Sequence, residues 1–253
     1  PWTIARDRLV RSTGIPNVKL LNDLEAMAHG TLAIPAEHTA ALNVGVGRPG
    51  HRAVIAAGTG LGQAFLYWDG SVHHPVATEG GHASFAPRDG EQVELLEFLR
   101  CRHDHVSWER VLSGPGLEAI FDFLGESRGL RAREPVISRI DAGESVAAVV
   151  GEAGVTGACD TCRRAVDLFL QLYGMQAANL ALTVFALGGV YVGGGIIRKL
   201  LPRALEGPFR EGFLDVGRLR KLLETIPVRA IREPRTAVTG AARVAVAAVR
   251  SGR

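Results

Sequence analysis

The sequence predicts an α/β fold, in which apolar strands alternate with amphipathic helices. Two strands are predicted within Val54–Tyr67, where apolar runs flank a turn that contains three glycines. A further apolar run, Val190–Val192, leads into three consecutive glycines and then into a helical pattern, which is typical of a strand–turn–helix unit. Apolar residues at helical spacing in Glu91–Cys101 and in Thr161–Leu187 predict two of the helices.

Composition places the chain among ordinary globular proteins with one or two domains. Its 253 residues are 47% hydrophobic and 22% charged, which excludes a disordered chain. A net charge of +3 without an aromatic–basic patch argues against nucleic acid binding. Three cysteines form no disulfide framework in a chain of this size and favour a reducing cytoplasm. The uncharged run Leu180–Ile197 is broken by glycines, so we expect no membrane span there.

The first elements place a polar pair before a helix. Ile4–Arg11 is predicted as a helix, Val18–Leu21 as a short buried strand and Leu24–Gly30 as the next helix. Asn22 and Asp23 would then stand at the carboxyl end of a strand, where α/β sheets place their ligands. The alternative is that Asp23 only caps the following helix.

A glycine turn follows a predicted strand at Leu42–Val46. Gly58, Thr59, Gly60 and Gly62 could expose backbone N–H groups, and a hydroxyl, to a phosphate. The stretch fits neither the Walker loop, since no lysine is present, nor the dinucleotide fingerprint, since a strand follows. A hairpin turn without a ligand is the alternative.

Two further segments contain polar residues suited to binding. Glu79 and His82 lie in a glycine-containing loop, which fits hydrogen bonding better than metal ligation, although an ordinary surface turn is the alternative. Ser107 is predicted to cap a short helix that contains Glu109, which could equally be a solvated residue.

The remaining predictions concern the C-terminal half. Cys159 and Cys162 form a lone C-x-x-C at the start of the long helix, and we expect them to be structural and to bind no metal. Gly193, Gly194 and Gly195 lie between a strand and a helix. A turn of this kind is well suited to bind the phosphates or the sugar of a nucleotide. The other predicted elements are a helix from Ser113 to Leu124, a helix over Glu144–Val150, a strand over Ile226–Ala230 and a helix over Thr236–Arg250.

Several motifs together resemble the bacterial glucokinase family along the whole chain. They lie in Leu20–Ala26, Gly58–Gly62, Glu79–Pro87, His105–Gly116, Cys159–Arg164 and Val192–Ile196. The resemblance implies a two-domain, actin-like (ribonuclease H-like) hexokinase fold with sugar bound in the interdomain cleft. The small domain would comprise residues 1–33 and 236–253, and the large domain residues 34–235.

The resemblance also implies a function, ATP-dependent phosphorylation of glucose at the 6-hydroxyl, the entry to glycolysis, with Mg²⁺. Asp23 matches the family's catalytic base. The groups that match those holding the other sugar hydroxyls are Asn22, Glu79, His82 and Glu109. The residues that match the second phosphate loop are Gly58, Thr59, Gly60 and Gly62, and those on the adenosine side are Gly193, Gly194 and Gly195. The resemblance further suggests a homodimer in the cytoplasm.

The sequence departs from the family in one respect that bears on activity. It contains no Asp-x-Gly-Gly-Thr motif, which in the family forms the loop for the β- and γ-phosphates of ATP. We therefore expect a glucokinase without its N-terminal strands, with an incomplete small domain, weak glucose binding and impaired turnover. The alternative is a non-catalytic sugar-binding or sensor protein derived from a glucokinase. A related transcriptional regulator would need a helix-turn-helix and usually a cysteine-rich zinc site, and neither is visible in the sequence.

Overall fold

A computed structural model describes residues 4–250 and contains one six-stranded mixed sheet among them. The strand order is β1-β6-β5-β2-β3-β4. The strands are β1 (Thr39–Asn43), β2 (Arg52–Ala57), β3 (Leu61–Trp68), β4 (His73–Thr78), β5 (Val190–Gly193) and β6 (Val228–Ile231).

Helices cover both faces of this sheet. They are α1 (Arg6–Thr13), α2 (Asp23–Thr31), α3 (Gly90–Arg100), α4 (Trp108–Val111), α5 (Gly114–Arg128), α6 (Glu134–Asp141), α7 (Val146–Thr156), α8 (Asp160–Thr183), α9 (Gly194–Leu205), α10 (Pro208–Leu214), α11 (Arg220–Glu224) and α12 (Thr236–Arg250). Short 3₁₀ helices cover Ala36–His38, Gly80–His82 and Gly217–Leu219.

The centre of the sheet positions the site. Strands β2 and β5 are parallel neighbours, with Ala53 opposite Val190 and Ala56 opposite Gly193. Both strands therefore end at the same edge, where β2 turns through glycines into β3 and β5 runs directly into α9. In α/β sheets this edge is the usual place for ligands.

The alternation of side chains along β2 divides the core. Ile55 belongs to the large cluster formed with the long helix α8 and its neighbours, whereas Val54 faces a smaller cluster on the other side of the sheet. Leu24 and Ala28 of α2 complete that smaller cluster. Burying them fixes α2 against the sheet, because apolar surface removed from water stabilises the fold by about 25 cal/mol per Å².

Helix α12 packs against the outer side of α2 at two glycines. A side chain on Gly240 would collide with the carbonyl oxygen of Ala26, and one on Gly30 would collide with that of Thr236. The two backbones thus approach closely where neither helix has a side chain, and this contact holds α2 in place from outside the sheet.

Two predicted strands need correction, and one strand was missed. Val18–Leu21 is not a strand, because the segment pairs with no strand, and none of its four residues is buried. Strand β1 ends at Asn43 rather than Val46, because pairing with β6 shifts register between Ala41 and Asn43 and does not extend further. Strand β4 was not predicted, and it pairs only with β3 at the edge of the sheet.

The division into a small and a large domain stays a prediction. The predicted small-domain helices α2 and α12 do contact one another, and both lie on the side of the sheet opposite the large core. No helix within residues 4–250 is long and apolar enough to cross a membrane.

Candidate active site

A polar cavity of about 340 Å³ opens at the edge where β2 and β5 end. Its volume lies within the range of roughly 300–1,000 Å³ that is usual for small-molecule sites. All five residues predicted for catalysis and sugar binding line it: Asn22, Asp23, Glu79, His82 and Glu109. The sequence therefore located these side chains together, although their roles stay a prediction.

The amino end of α2 fixes the first two of them. Asn22 is the N-cap, and its Oδ1 accepts hydrogen bonds from the backbone N–H of Leu24 at 2.9 Å and of Glu25 at 3.4 Å. Asp23 is the first helical residue, and its Oδ1 accepts from the N–H of Leu24 at 2.8 Å. The backbone thus holds one oxygen of Asp23 and leaves Oδ2 available to a ligand.

Glu109 is held in the cavity by the glycine turn. Its Oε2 accepts a hydrogen bond from the backbone N–H of Leu61 at 3.0 Å. A side chain on Gly60 would collide with that same oxygen, so this position needs a glycine for the carboxylate to approach. The side chain of Glu109 is 31% exposed, and its second oxygen stays open to the cavity.

His82 lies between two carboxylates. Its Nε2 is 3.8 Å from Glu79 Oε2, and its Nδ1 is 3.9 Å from Glu109 Oε1. The side chains of Glu79 and His82 are 83% and 61% exposed. These three groups alternate acceptor and donor along one wall, which is the chemistry that several neighbouring hydroxyl groups require.

The turn after β2 is held rigidly. Gly58 donates through its N–H to the carbonyl of Gly60 at 2.8 Å, and its own carbonyl accepts from the N–H of Gly114 at 2.8 Å. Beneath it, the hydroxyl of Tyr173 accepts from the N–H of Ala57 at 2.9 Å and donates to the carbonyl of Gly193 at 3.1 Å. Burial raises the pKa of this phenol, so it stays a neutral hydrogen-bonding group.

The glycines predicted to bind the nucleotide occupy their positions for different structural reasons. A side chain on Gly62 would collide with Leu24, and one on Gly193 would contact the sulfur of Met27, so both serve packing. Gly194 has a φ of +91°, which favours glycine. Gly58, by contrast, has open space on its side-chain side, which leaves room for a ligand.

A second, larger cavity of about 780 Å³ adjoins the first. Gly58 and Thr59 line both, so the two cavities meet at the glycine turn. The amino ends of α5 and α9 reach the larger cavity with Gly114 and Gly195. The rest of its lining is mostly apolar and comes from α5, α7 and α9: Leu117, Ala147, Ala148, Gly151, Val155, Ile196 and Leu200.

Sequence reasoning missed the residues of α7 and the Lys199 side of α9 that line this cavity. Helix α7 was predicted only as a helix, and nothing in its sequence indicates that it faces a ligand. Lys199 also lines the cavity, one turn after Gly195 on α9. Lys199 follows the last glycine of the turn by four residues, so the two lie on the same face of α9, and this spacing could have indicated its position.

The two cysteines of the C-x-x-C motif line neither of these two cavities. Cys159 and Cys162 are free and buried, and Cys159 Sγ accepts from the N–H of Cys162 at 3.3 Å as the N-cap of α8. Across the described part of the chain, no group of three or more His, Cys, Asp or Glu side chains could hold a metal ion.

Comparisons with known proteins agree with this geometry. A family model described as glucokinase matches residues 1–248. The glucokinase of Nostoc sp. (strain PCC 7120) is 37% identical over 255 residues, which cover 95% of this chain and 74% of that protein. A glucokinase from an Antarctic psychrotroph, solved as a crystal structure, is 28% identical with a TM-score of 0.81, covering 94% of this chain and 71% of its own.

A more distant structure shows the fold alone. A ROK family glucokinase from Streptomyces griseus, crystallised with glucose and AMPPNP, is 19% identical with a TM-score of 0.62, covering 94% of this chain and 71% of that one. The predicted actin-like kinase fold is confirmed by these similarities.

Proposed function

Because the chain belongs to the glucokinase family and is a glucose-phosphorylating enzyme, we propose that it transfers the γ-phosphoryl group of ATP to the 6-hydroxyl of glucose, with Asp23 as the general base. The observation that carries this assignment is the junction at Gly58 and Thr59. It joins a polar cavity sized for a small polyol to a larger apolar cavity that begins at two helix amino ends.

Asp23 is suited to take the proton from the 6-hydroxyl. Its Oδ1 is fixed by the N–H of Leu24, so Oδ2 keeps a defined direction and can accept the hydroxyl hydrogen. As O6 bonds to the γ-phosphorus, the bond from that phosphorus to the bridging oxygen of ADP breaks, and the proton passes to Asp23. A positioned base of this kind contributes roughly 10²–10⁴ in rate.

The remaining polar side chains recognise the sugar. Asn22 uses its Oδ1 to cap α2, so its amide N–H groups are available as donors. Glu79 and Glu109 offer carboxylate acceptors, and His82 between them can donate or accept. A site built this way discriminates against analogues that lack a hydroxyl, because one of its polar groups would then lose its partner in the complex.

The glycine turn and the helix amino ends are suited to the nucleotide phosphates. Gly58 and Thr59 lie where the two cavities meet, with the long helices α5 and α9 beginning beside them. The helix dipole at such ends favours phosphate. In α5 the N–H groups of Gly114 and Gly116 are already paired, whereas the amino end of α9 has no side-chain cap. The apolar lining from α7 and α9 then suits adenosine, with Gly193, Gly194 and Gly195 on the same side.

We expect Mg²⁺ to arrive bound to ATP. In kinase sites Mg²⁺ is held by one or two carboxylates together with substrate phosphates and waters. Thr59 offers a hydroxyl beside the junction to an ion brought by the nucleotide, whereas the free oxygen of Asp23 is needed for the proton. When bound, the ion neutralises charge on the phosphates.

Replacing the proposed base tests the assignment. Asp23→Asn keeps an oxygen for the N–H of Leu24 but removes the proton acceptor, so kcat should fall about 10²–10⁴-fold in a coupled glucose 6-phosphate assay. Glucose affinity, followed by calorimetry, should change little. Glu25→Gln is the matched control, since it removes a carboxylate in the same helical turn outside the cavity lining.

An equal loss in both variants, or none in Asp23→Asn, would contradict the assignment. A non-catalytic sugar-binding protein would bind glucose with no Asp23-dependent turnover, so the same assay separates the two functions. We further propose a cytoplasmic homodimer, which light scattering on the purified protein would test.

A further inference from the structure

A third cavity borders the proposed sugar site. Its volume is about 390 Å³, and His82 and Glu109 line it as well as the sugar cavity. The rest of its wall comes from the loop after α3 and from α4: Arg102, His103, Asp104, His105, Ser107 and Arg110. The proposed phosphoryl-transfer reaction uses none of these six residues.

Ser107 is a buried residue whose hydroxyl has no partner among the described residues. The residue is only 5% exposed and occupies the N-cap position of α4, yet its side chain makes no capping bond, contrary to the sequence prediction. Within the described chain, its Oγ has no hydrogen-bond partner, and the residue lines this cavity. The Ser107 hydroxyl is therefore open to the cavity, where a ligand or an ordered water can form a hydrogen bond with it.

Positive groups surround that hydroxyl. Arg110 makes no ion pair with any described carboxylate. Arg102, by contrast, forms an ion pair with Glu126, with 3.0 Å between Nη2 and Oε2. Burial lowers the pKa of His103, and the positive charges of Arg110 and Arg102 lower it further. Both guanidinium groups therefore lie near the His103 ring. His105 uses Nε2 toward Ser84 Oγ at 3.1 Å and keeps its other nitrogen free.

Two carboxylates oppose these groups only in part. Glu109 Oε2 is occupied by the N–H of Leu61, and its other oxygen is 3.9 Å from His82. Asp104 is exposed at the rim, where solvent screens its charge. The wall therefore combines a hydroxyl without a protein partner, a guanidinium without an ion pair and imidazole donors, which is the chemistry of an oxyanion site.

We propose that this cavity is a subsite for a phosphate-class oxyanion, held by Ser107 and Arg110, beside the end of the sugar remote from Asp23. The anion could be free phosphate, or a phosphate on the sugar at a position far from the 6-hydroxyl. The second source rests on the proposed function, because it requires glucose to lie with its 6-hydroxyl at Asp23.

Calorimetric titration of the purified chain tests the subsite with three probes: inorganic phosphate, α-D-glucose 1-phosphate and glucose 6-phosphate. We expect inorganic phosphate to bind, and Arg110→Gln and Ser107→Ala each to weaken it about tenfold, the loss of one charge-assisted or buried hydrogen bond. Arg218→Gln is the matched control, since it removes an exposed arginine elsewhere. His103→Gln serves as the further variant if either pocket variant fails to fold.

The two sugar phosphates identify the source of the anion. If the phosphate is carried by the sugar, glucose 1-phosphate binds more tightly than phosphate or glucose alone, and Arg110→Gln weakens it without weakening glucose 6-phosphate. If the ligand is the free anion, glucose 1-phosphate gains nothing over inorganic phosphate.

Three results would overturn the subsite: no binding of inorganic phosphate or glucose 1-phosphate, equal losses in Arg110→Gln and Arg218→Gln, or binding unchanged by all pocket variants. None of these depends on turnover, so the kinase assignment is judged separately by the Asp23 assay.

Discussion

At Gly60, the absent side chain makes room for the Glu109 carboxylate. Gly60→Ala should displace that carboxylate from the N–H of Leu61, because the new methyl group would overlap Glu109 Oε2. A hydrogen bond to a charged group contributes about 1.5–3 kcal/mol, so we expect the KM for glucose to rise about tenfold or more. The value of kcat should change less, since Asp23 is untouched.

Gly90→Ala is the control for this substitution. An added methyl group there meets no atom within 4 Å, and the position lies in helix α3 away from the cavity. Steady-state kinetics on both variants check the prediction. An unchanged KM in Gly60→Ala would mean that Glu109 does not contact glucose.

Tyr173 stabilises the edge of the sheet through its hydroxyl. Tyr173→Phe removes the acceptor of the Ala57 N–H and leaves that group buried without a partner, which costs about 1–3 kcal/mol. Urea unfolding should show this loss. Phe169→Leu, in the same helix and without a polar group, is the control for a change in packing alone. Equal stability of Tyr173→Phe and the original protein would show that water replaces the hydroxyl.

The motifs shared with the glucokinase family selected the polar side chains but not what orients them. From residue types alone, Asp23, Glu79, His82 and Glu109 had equally ordinary structural interpretations, and their roles stay a prediction. The Leu61 N–H that holds Glu109 could not be selected, since every residue carries a backbone amide and only the fold selects one. The same holds for Ser107, whose position before α4 predicted a cap that its hydroxyl does not make.

At the scale of elements, helix α12 determines where α2 lies. Gly240→Ala would place a methyl group against the carbonyl of Ala26, so α2 must move or the pair must separate. Overpacking of this kind costs about 1–3 kcal/mol, and a shift of α2 also carries Asp23 away from the substrate. We expect a lower thermal midpoint together with a lower kcat.

The comparison for that variant is Ala245→Ser, which also adds one heavy atom but on the exposed side of α12. It should leave both the midpoint and kcat close to those of the original protein. A stable Gly240→Ala protein with full activity would show that the contact between α2 and α12 does not position the site.

Elements with a clear hydrophobic periodicity were predicted well. Elements whose bounds depend on which strands pair with each other were not. The helix Thr236–Arg250 and the strands around the glycine turn follow from local pattern. Val18–Leu21 has the composition of a strand but no partner, and a strand is stable only when its backbone groups are paired. Strand β4 contains two histidines and a proline, which a single-sided edge strand tolerates and a central strand would not.

At the scale of the whole molecule, the site depends on bringing β2 and β5 together. They are neighbours in the sheet although more than 130 residues separate them in the chain, and no local pattern predicts such a pairing. Their common edge places the turn after β2 beside the amino end of α9. The larger cavity arises the same way, from α5, α7 and α9, which explains why its lining could not be predicted.

Filling the larger cavity separates nucleotide binding from sugar binding. Ala148 lines that cavity and is exposed, so Ala148→Trp adds an indole there without disturbing the buried core. The ring would occupy space that we assign to adenosine, and we expect the KM for ATP to rise at least about tenfold, the change that follows from losing about 1.4 kcal/mol of binding. Glucose binding, measured without nucleotide, should stay the same because Ala148 does not line the polar cavity.

Ala142→Trp is the control for this last variant, because it adds the same ring to an exposed position just before α7 and outside the cavity lining. Both proteins should unfold at similar temperatures, so that a difference in KM reports on the cavity itself. If Ala148→Trp keeps the original KM for ATP, the nucleotide does not enter between α7 and α9. ATP would then have to reach the junction at Gly58 and Thr59 by another route.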